Sequence, residues 1–127
     1  MMNDEWRKKE LNIVKDKAFS FAVNIIKLAR LLSSEHLYEI SGQIIRSGTS
    51  IGANIEEAEA GQTKKDFVTK MSIASKEARE THYWLRLLKE SKVVNYNYDI
   101  LLNDNDELIR LLTSIVKTTQ QSLNTKH

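Results

Sequence analysis

Residues 11–32 read LNIVKDKAFSFAVNIIKLARLL, and their spacing decides the fold. Leu11, Val14, Ala18, Phe21, Ile25, Leu28 and Leu32 follow one another at alternating steps of three and four. That interval returns each side chain to the same side of an α-helix, so the stretch predicts a helix over about 4–32 with one apolar stripe. A second stripe runs beside it through Phe19, Ala22, Ile26 and Ala29.

The same period recurs three more times. Leu37, Ile40, Ile44, Ile51, Ile55 and Ala58 give a second helix over about 35–60. Ser34 reads as its N-cap, because a serine hydroxyl can accept from a free first-turn N–H. Gly42, Gly48 and Gly52 interrupt this segment. An interior glycine costs about 1 kcal/mol against alanine, so three of them point either to a close neighbouring backbone or to a break near 47–50. In the second case Ser47, Thr49 and Ser50 would bond their own backbone. Gly61 reads as a C-terminal cap and Thr63 as the next N-cap, with Asp66 imitating a capping box.

Phe67, Met71, Ala74, Ala78, Thr81, Leu85 and Leu88 then predict a third helix over about 64–91, flanked by Glu77, Glu80, Trp84 and Leu87. A turn around Val93 and Val94 precedes a fourth helix over about 97–123. There Leu101, Leu108 and Ile115 repeat every seven residues beside Leu102, Ile109, Val116 and Leu123. Four similar helices joined by short connections predict a single all-α domain over 1–127, an antiparallel up-down-up-down four-helix bundle. Helices of that length run about 40 Å. The double stripes on the first and fourth helices leave apolar surface to cover, which predicts self-association.

Composition narrows the chemistry. The chain has 127 residues with no cysteine and no proline. Disulfides, thiolate metal sites and cysteine nucleophiles are excluded, and long helices are unobstructed. The polar, acidic opening from Met1 to Trp6 is unlike a secretory leader, and no apolar run approaches the length of a membrane span, which predicts a cytoplasmic protein with no membrane partner. Net charge is +2, unevenly spread. Residues 33–62 carry −4 and residues 63–94 carry +4. The basic segment makes Lys64, Lys65, Lys70, Arg79, Arg86 and Lys89 candidates for phosphate contact, against the plainer reading of a solvated helix face.

Catalytic patterns are missing. A di-iron bundle needs Glu-x-x-His pairs, but Ser33 precedes His36 and Arg79 precedes His82 at that interval. His127 ends the sequence. Glu56, Glu57 and Glu59 fan over different helix faces, which suits structural roles better than a paired acid and base. The run Gly48-Thr49-Ser50-Ile51-Gly52 lacks the lysine and the preceding strand of a phosphate loop. Trp84 and Tyr83 could stack a base, but aromatics at helical spacing more often pack. No triad, helix-turn-helix or zinc finger is visible, so no catalytic residue, metal, cofactor or small-molecule substrate is expected.

One stretch carries a family pattern. Gln43-Ile44-x-Arg46-Ser47, then Ser50-Ile51-x-x-Asn54-Ile55-x-Glu57, then Lys64-x-x-Phe67 lead into Ser75-Lys-Glu-Ala-Arg-Glu-Thr-His-Tyr-Trp84-Leu-Arg-Leu-Leu88. This resembles the bundle proteins named for the 23S ribosomal RNA intervening sequences that can encode them. Ala58 stands where many members have glycine. The resemblance implies a ring-like homopentamer without catalytic residues. The chain is also similar to the accessory protein of diversity-generating retroelements, which implies a nucleic acid or a nucleic-acid enzyme as partner. Arg46 is the only basic residue of its acidic segment, and Glu56 lies ten residues on. Its partner is therefore expected on another helix, with a buried or interfacial role for Arg46, Asn54 and Glu57, a surface or interface role for His82 and a core or interface role for Trp84.

Overall fold

The computed structural model describes residues 4–124, without the side chains of Asp4 and Trp6; His127 and the first three residues lie outside the described range. Helices α1 (Asp4–Ser34), α2 (Tyr38–Ala60), α3 (Lys64–Ser91) and α4 (Asp99–Asn124) follow one another, with no strand among the described residues. Each packs on its neighbours in a closed ring: α1 on α2, α2 on α3, α3 on α4, and α4 back on α1 most loosely. The pairing is antiparallel. Lys15 meets Glu59 while Ala29 meets Ser41, Arg46 meets Glu77 while Glu57 meets Lys70, and Arg79 meets Thr113 while Lys89 meets Asp99, so within each helix pair the partner number falls as the residue number rises.

The first stripe of α1 became the core: Val14, Ala18, Ile25, Leu28 and Leu32 are fully buried. They meet Ile44, Ile51 and Ile55 of α2, Met71, Leu85 and Leu88 of α3, and Leu101, Leu108 and Leu112 of α4. Burying one such side chain contributes about 1.5–3 kcal/mol, so these stripes outweigh the weak intrinsic preference of any single helix. The second stripes behave differently on the two helices expected to show them. On α4, Leu102, Ile109 and Val116 lean onto the core and are covered within the chain. On α1, Ala29 is buried but Phe19 and Ile26 stay open at 70% and 42% exposure.

Helix α2 runs unbroken through its glycines. Thr49 and Ser50 do bond local carbonyls, Oγ1 to Ile45 O at 2.6 Å and Oγ to Ser47 O at 3.0 Å, without interrupting the helix. Close approach explains Gly48, where a Cβ would stand 2.8 Å from Cγ2 of Ile25 on α1. Polar groups enter the core only with partners to meet. Ser41 donates to the carbonyl of Ala29 at 2.8 Å, and the buried hydroxyls of Ser47 and Thr81 lie 2.9 Å apart across the α2–α3 seam. Asn105 donates to Ala78 O at 3.2 Å, but its own Oδ1 is the one buried side-chain acceptor without a partner among the described residues.

The α1–α2 connection corrects the sequence reading. Ser34 belongs to α1 and its hydroxyl bonds back to Leu31 O, while the residue before α2 is Leu37, with no side-chain cap. His36 ends α1 in the left-handed conformation, φ 64°. Its N–H reaches Ser33 O at 3.0 Å and that of Leu37 reaches Leu32 O at 2.9 Å, the paired bonds of a Schellman turn. Lys92 ends α3 the same way, φ 56°. A Cβ in this conformation costs roughly 1 kcal/mol, and the extra freedom of unfolded glycine offsets only part of that. His36→Gly and Lys92→Gly are each expected to raise the melting temperature by about 2 °C, read by circular dichroism. Thr63 caps α3 as its sequence implied, accepting the Asp66 N–H at 3.0 Å.

Candidate nucleic-acid interface

The six basic candidates do not share one face. A helix turns about 100° per residue, which sends them in three directions. Lys70 points toward α2 and pairs with Glu57 at 2.8 Å. Lys65 points away from the bundle. Lys64, Arg79, Arg86 and Lys89 point toward α4. Of these, Lys89 is bound to Asp99 at 2.8 Å, and that hydrogen bond holds its amine above the ordinary lysine value. A charge already matched by a carboxylate adds little attraction for phosphate, so Lys70 and Lys89 are the weakest of the six.

What remains on the α4 side gathers in a groove. Arg79 donates to Thr113 Oγ1 at 3.2 Å, an uncharged partner that leaves its charge unmatched. Arg86, two turns along the same side, lies over the Tyr83 ring at 5.9 Å. Lys64 reaches Ser122 Oγ at 2.9 Å near the groove's lower end. Helix α4 adds Lys117 and, two turns earlier on the same face, Arg110, neither in an ion pair among the described residues. Ser72, Ser75, Arg79, Thr113, Val116, Lys117, Gln120 and Gln121 enclose a cavity of about 380 Å³ without a carboxylate. Of the nearby acids, Asp106 meets His82 at 3.0 Å across the same α3–α4 seam, and Glu107 pairs with Lys17 of α1 at 3.1 Å.

Charge along the chain does not single out Arg110 and Lys117, because their segment is slightly acidic. Their seven-residue spacing was the available signal. Antiparallel pairing then brings Lys117 beside Arg79 in one cavity.

Of the family-pattern residues, Arg46 and Glu57 lie at the opposite seam, while Lys64 is the one described above on the α4 side. Arg46 reaches from α2 to α3, Nη1 to Glu77 Oε2 at 3.3 Å and Nη2 to Glu80 Oε2. Glu80 also accepts from Trp84 Nε1 at 3.0 Å, and the Trp84 ring meets Tyr83 edge-on at 5.3 Å. Asn54 Nδ2 bonds Ser50 O at 2.8 Å within its own helix. None of the three expected in a buried or interfacial role is buried in the chain: Arg46 is half exposed, Asn54 half-buried and Glu57 more than half exposed. Long charged side chains at a two-helix seam keep their ends in water, which removes the buried alternative for them. His82 faces α4 while Glu57 faces α3 from α2, so they form no shared site. Among the described residues no three His, Asp or Glu side chains stand close enough to hold a metal ion, and no helix is long and apolar enough to cross a membrane.

The arrangement of Arg46, Asn54, Glu57 and Lys64 falls inside a family model. The model described as the 23S rRNA-intervening sequence protein matches residues 9–114. The chain belongs to that family. The chain is also similar to a solved structure, a protein of unknown function from the S23 ribosomal protein family of Bacteroides thetaiotaomicron. The two are 48% identical with a TM-score of 0.80, over 85% of this chain and 98% of the other. No curated protein matches.

Proposed function

We propose that this protein is a non-enzymatic, cytoplasmic homo-oligomer, a pentamer by its family resemblance, that holds RNA or DNA by its phosphates along the α3–α4 groove, alone or beside a nucleic-acid enzyme. One observation carries the reading: Arg79 of α3 and Lys117 of α4 line one cavity that has no carboxylate, with Arg86 and Arg110 each seven residues from one of them on its helix. Cations without a carboxylate partner are free to replace the counterions of a nucleic-acid backbone, and that release drives binding. The sequence has no helix-turn-helix or zinc-finger pattern, so the contact is with backbone rather than sequence.

Fluorescence anisotropy with short labelled RNA and DNA tests this at about 50 and 200 mM salt. Four phosphate contacts per site are expected to weaken binding about 10²-fold between those concentrations. A salt-independent affinity, or none at the lower salt, overturns the reading. The latter result favours a protein-interaction scaffold, a reading supported by the ion pairs Lys15–Glu59, Lys17–Glu107, Lys70–Glu57 and Lys89–Asp99, which neutralise much of the remaining basic surface.

A further inference from the structure

Two solvent-facing seams remain after the bundle has closed, and their patterns fit each other. On α1, Phe19, Val23 and Ile26 are 70%, 39% and 42% exposed at steps of four and three, on one face turned from the core. Asp16 precedes them and Arg30 follows, both exposed and in no ion pair among the described residues. On α3, Tyr83 and Leu87 are 48% and 39% exposed on the side opposite the core. Lys76 precedes them and Glu90 follows, again exposed and outside any ion pair among the described residues. Glu80, on the same seam, is already held by Arg46 and Trp84.

The bracketing charges are opposite in order and equal in spacing. Asp16 to Arg30 and Lys76 to Glu90 each span fourteen residues, about 21 Å of helix. Laid parallel, the seams put Asp16 beside Lys76, the apolar residues together, and Arg30 beside Glu90. Laid antiparallel, they put acid on acid and base on base. We infer that the outer face of α1 docks, parallel, on the outer face of α3 of a second copy of this chain. The contact is heterologous, because the two copies contribute different patches, so every copy can carry a neighbour on each side. A two-fold dimer would need both patches of each copy in one interface, and α1 and α3 are not neighbours in the ring but stand at opposite corners of the bundle, so their outer faces look away from each other.

This inference rests on the homo-oligomer proposed above, and charge reversal separates the two. Mass is measured by light scattering after size exclusion, at low salt, for the native chain, Arg30→Glu, Glu90→Arg and the double variant, with helicity followed by circular dichroism. Each single reversal is expected to raise the concentration for half-assembly roughly tenfold, and the double variant to recover it. Phe19→Asp, at an open position of the monomer, is expected to dissociate the assembly with helicity retained. An assembled native protein whose mass survives both single reversals and Phe19→Asp overturns the docking and leaves the oligomer standing, as does a double variant that fails to recover. A native mass of one 14.6 kDa chain overturns both.

Discussion

Replacing Arg79 and Lys117 with glutamine is expected to lower affinity for RNA and DNA about 10²-fold at 50 mM salt and to flatten the salt dependence by about two contacts. Each phosphate contact contributes a slope of about 0.9 in the logarithm of affinity against that of salt, and these slopes converge near 1 M, where the counterion effect vanishes. Removing two contacts therefore costs about 20 raised to the power 1.8 at 50 mM. The two side chains come from different helices and line one cavity, so both should act on the same ligand. Lys70→Gln is the matched control: its amine already meets Glu57 at 2.8 Å, and its loss should change affinity by less than about twofold. Equal effects from all three substitutions would place the ligand elsewhere or nowhere in particular.

Gly42→Ala and Gly48→Ala are expected to move stability in opposite directions although both sit inside α2. At Gly42 nothing lies within 4 Å of an added Cβ, so alanine brings only its better helix propensity, about 1 kcal/mol or roughly 4 °C in melting temperature. At Gly48 the new Cβ would stand 2.8, 2.9 and 3.2 Å from Cγ2, Cγ1 and Cβ of Ile25. Ile25 is fully buried, and a β-branched side chain in a helix has essentially one χ1 rotamer, so it cannot swing aside. The helices must part, at a cost of about 1–3 kcal/mol that exceeds the propensity gain. Thermal and urea unfolding of both variants measure this. Ile25→Ala in the Gly48→Ala background should cost less than in the native chain, because the colliding carbons are gone. Equal melting temperatures for Gly42→Ala and Gly48→Ala would show that the α1–α2 approach is looser than described.

The alanine variants of Arg46, Asn54 and Glu57 bear on the remaining family-pattern residues. Since none is buried in the chain, an interfacial role is what their loss would reveal, and unchanged assembly together with unchanged melting would remove it.

The sequence by itself determined the four helices, their approximate ends and their apolar sides, because a helix's period and its caps are local properties written at intervals of three, four and seven. Leu11 to Leu32 announced the core stripe of α1, and Thr63 with Asp66 marked where α3 begins. The same locality let the α2–α3 seam be read as a family pattern, with Arg46 expected to reach another helix. How the helices face one another, and all that depends on it, is settled by packing. It showed that Gly48 answers to Ile25, that His36 rather than Ser34 governs the first turn, and that α4 hides its second stripe while α1 does not. It also separated Lys70 from Arg79 and brought Arg79 beside Lys117, thirty-eight positions apart in the chain. Which charges are matched and which stay open is a matter of distance in space, and antiparallel packing joins residues whose separation along the chain carries no sign of it.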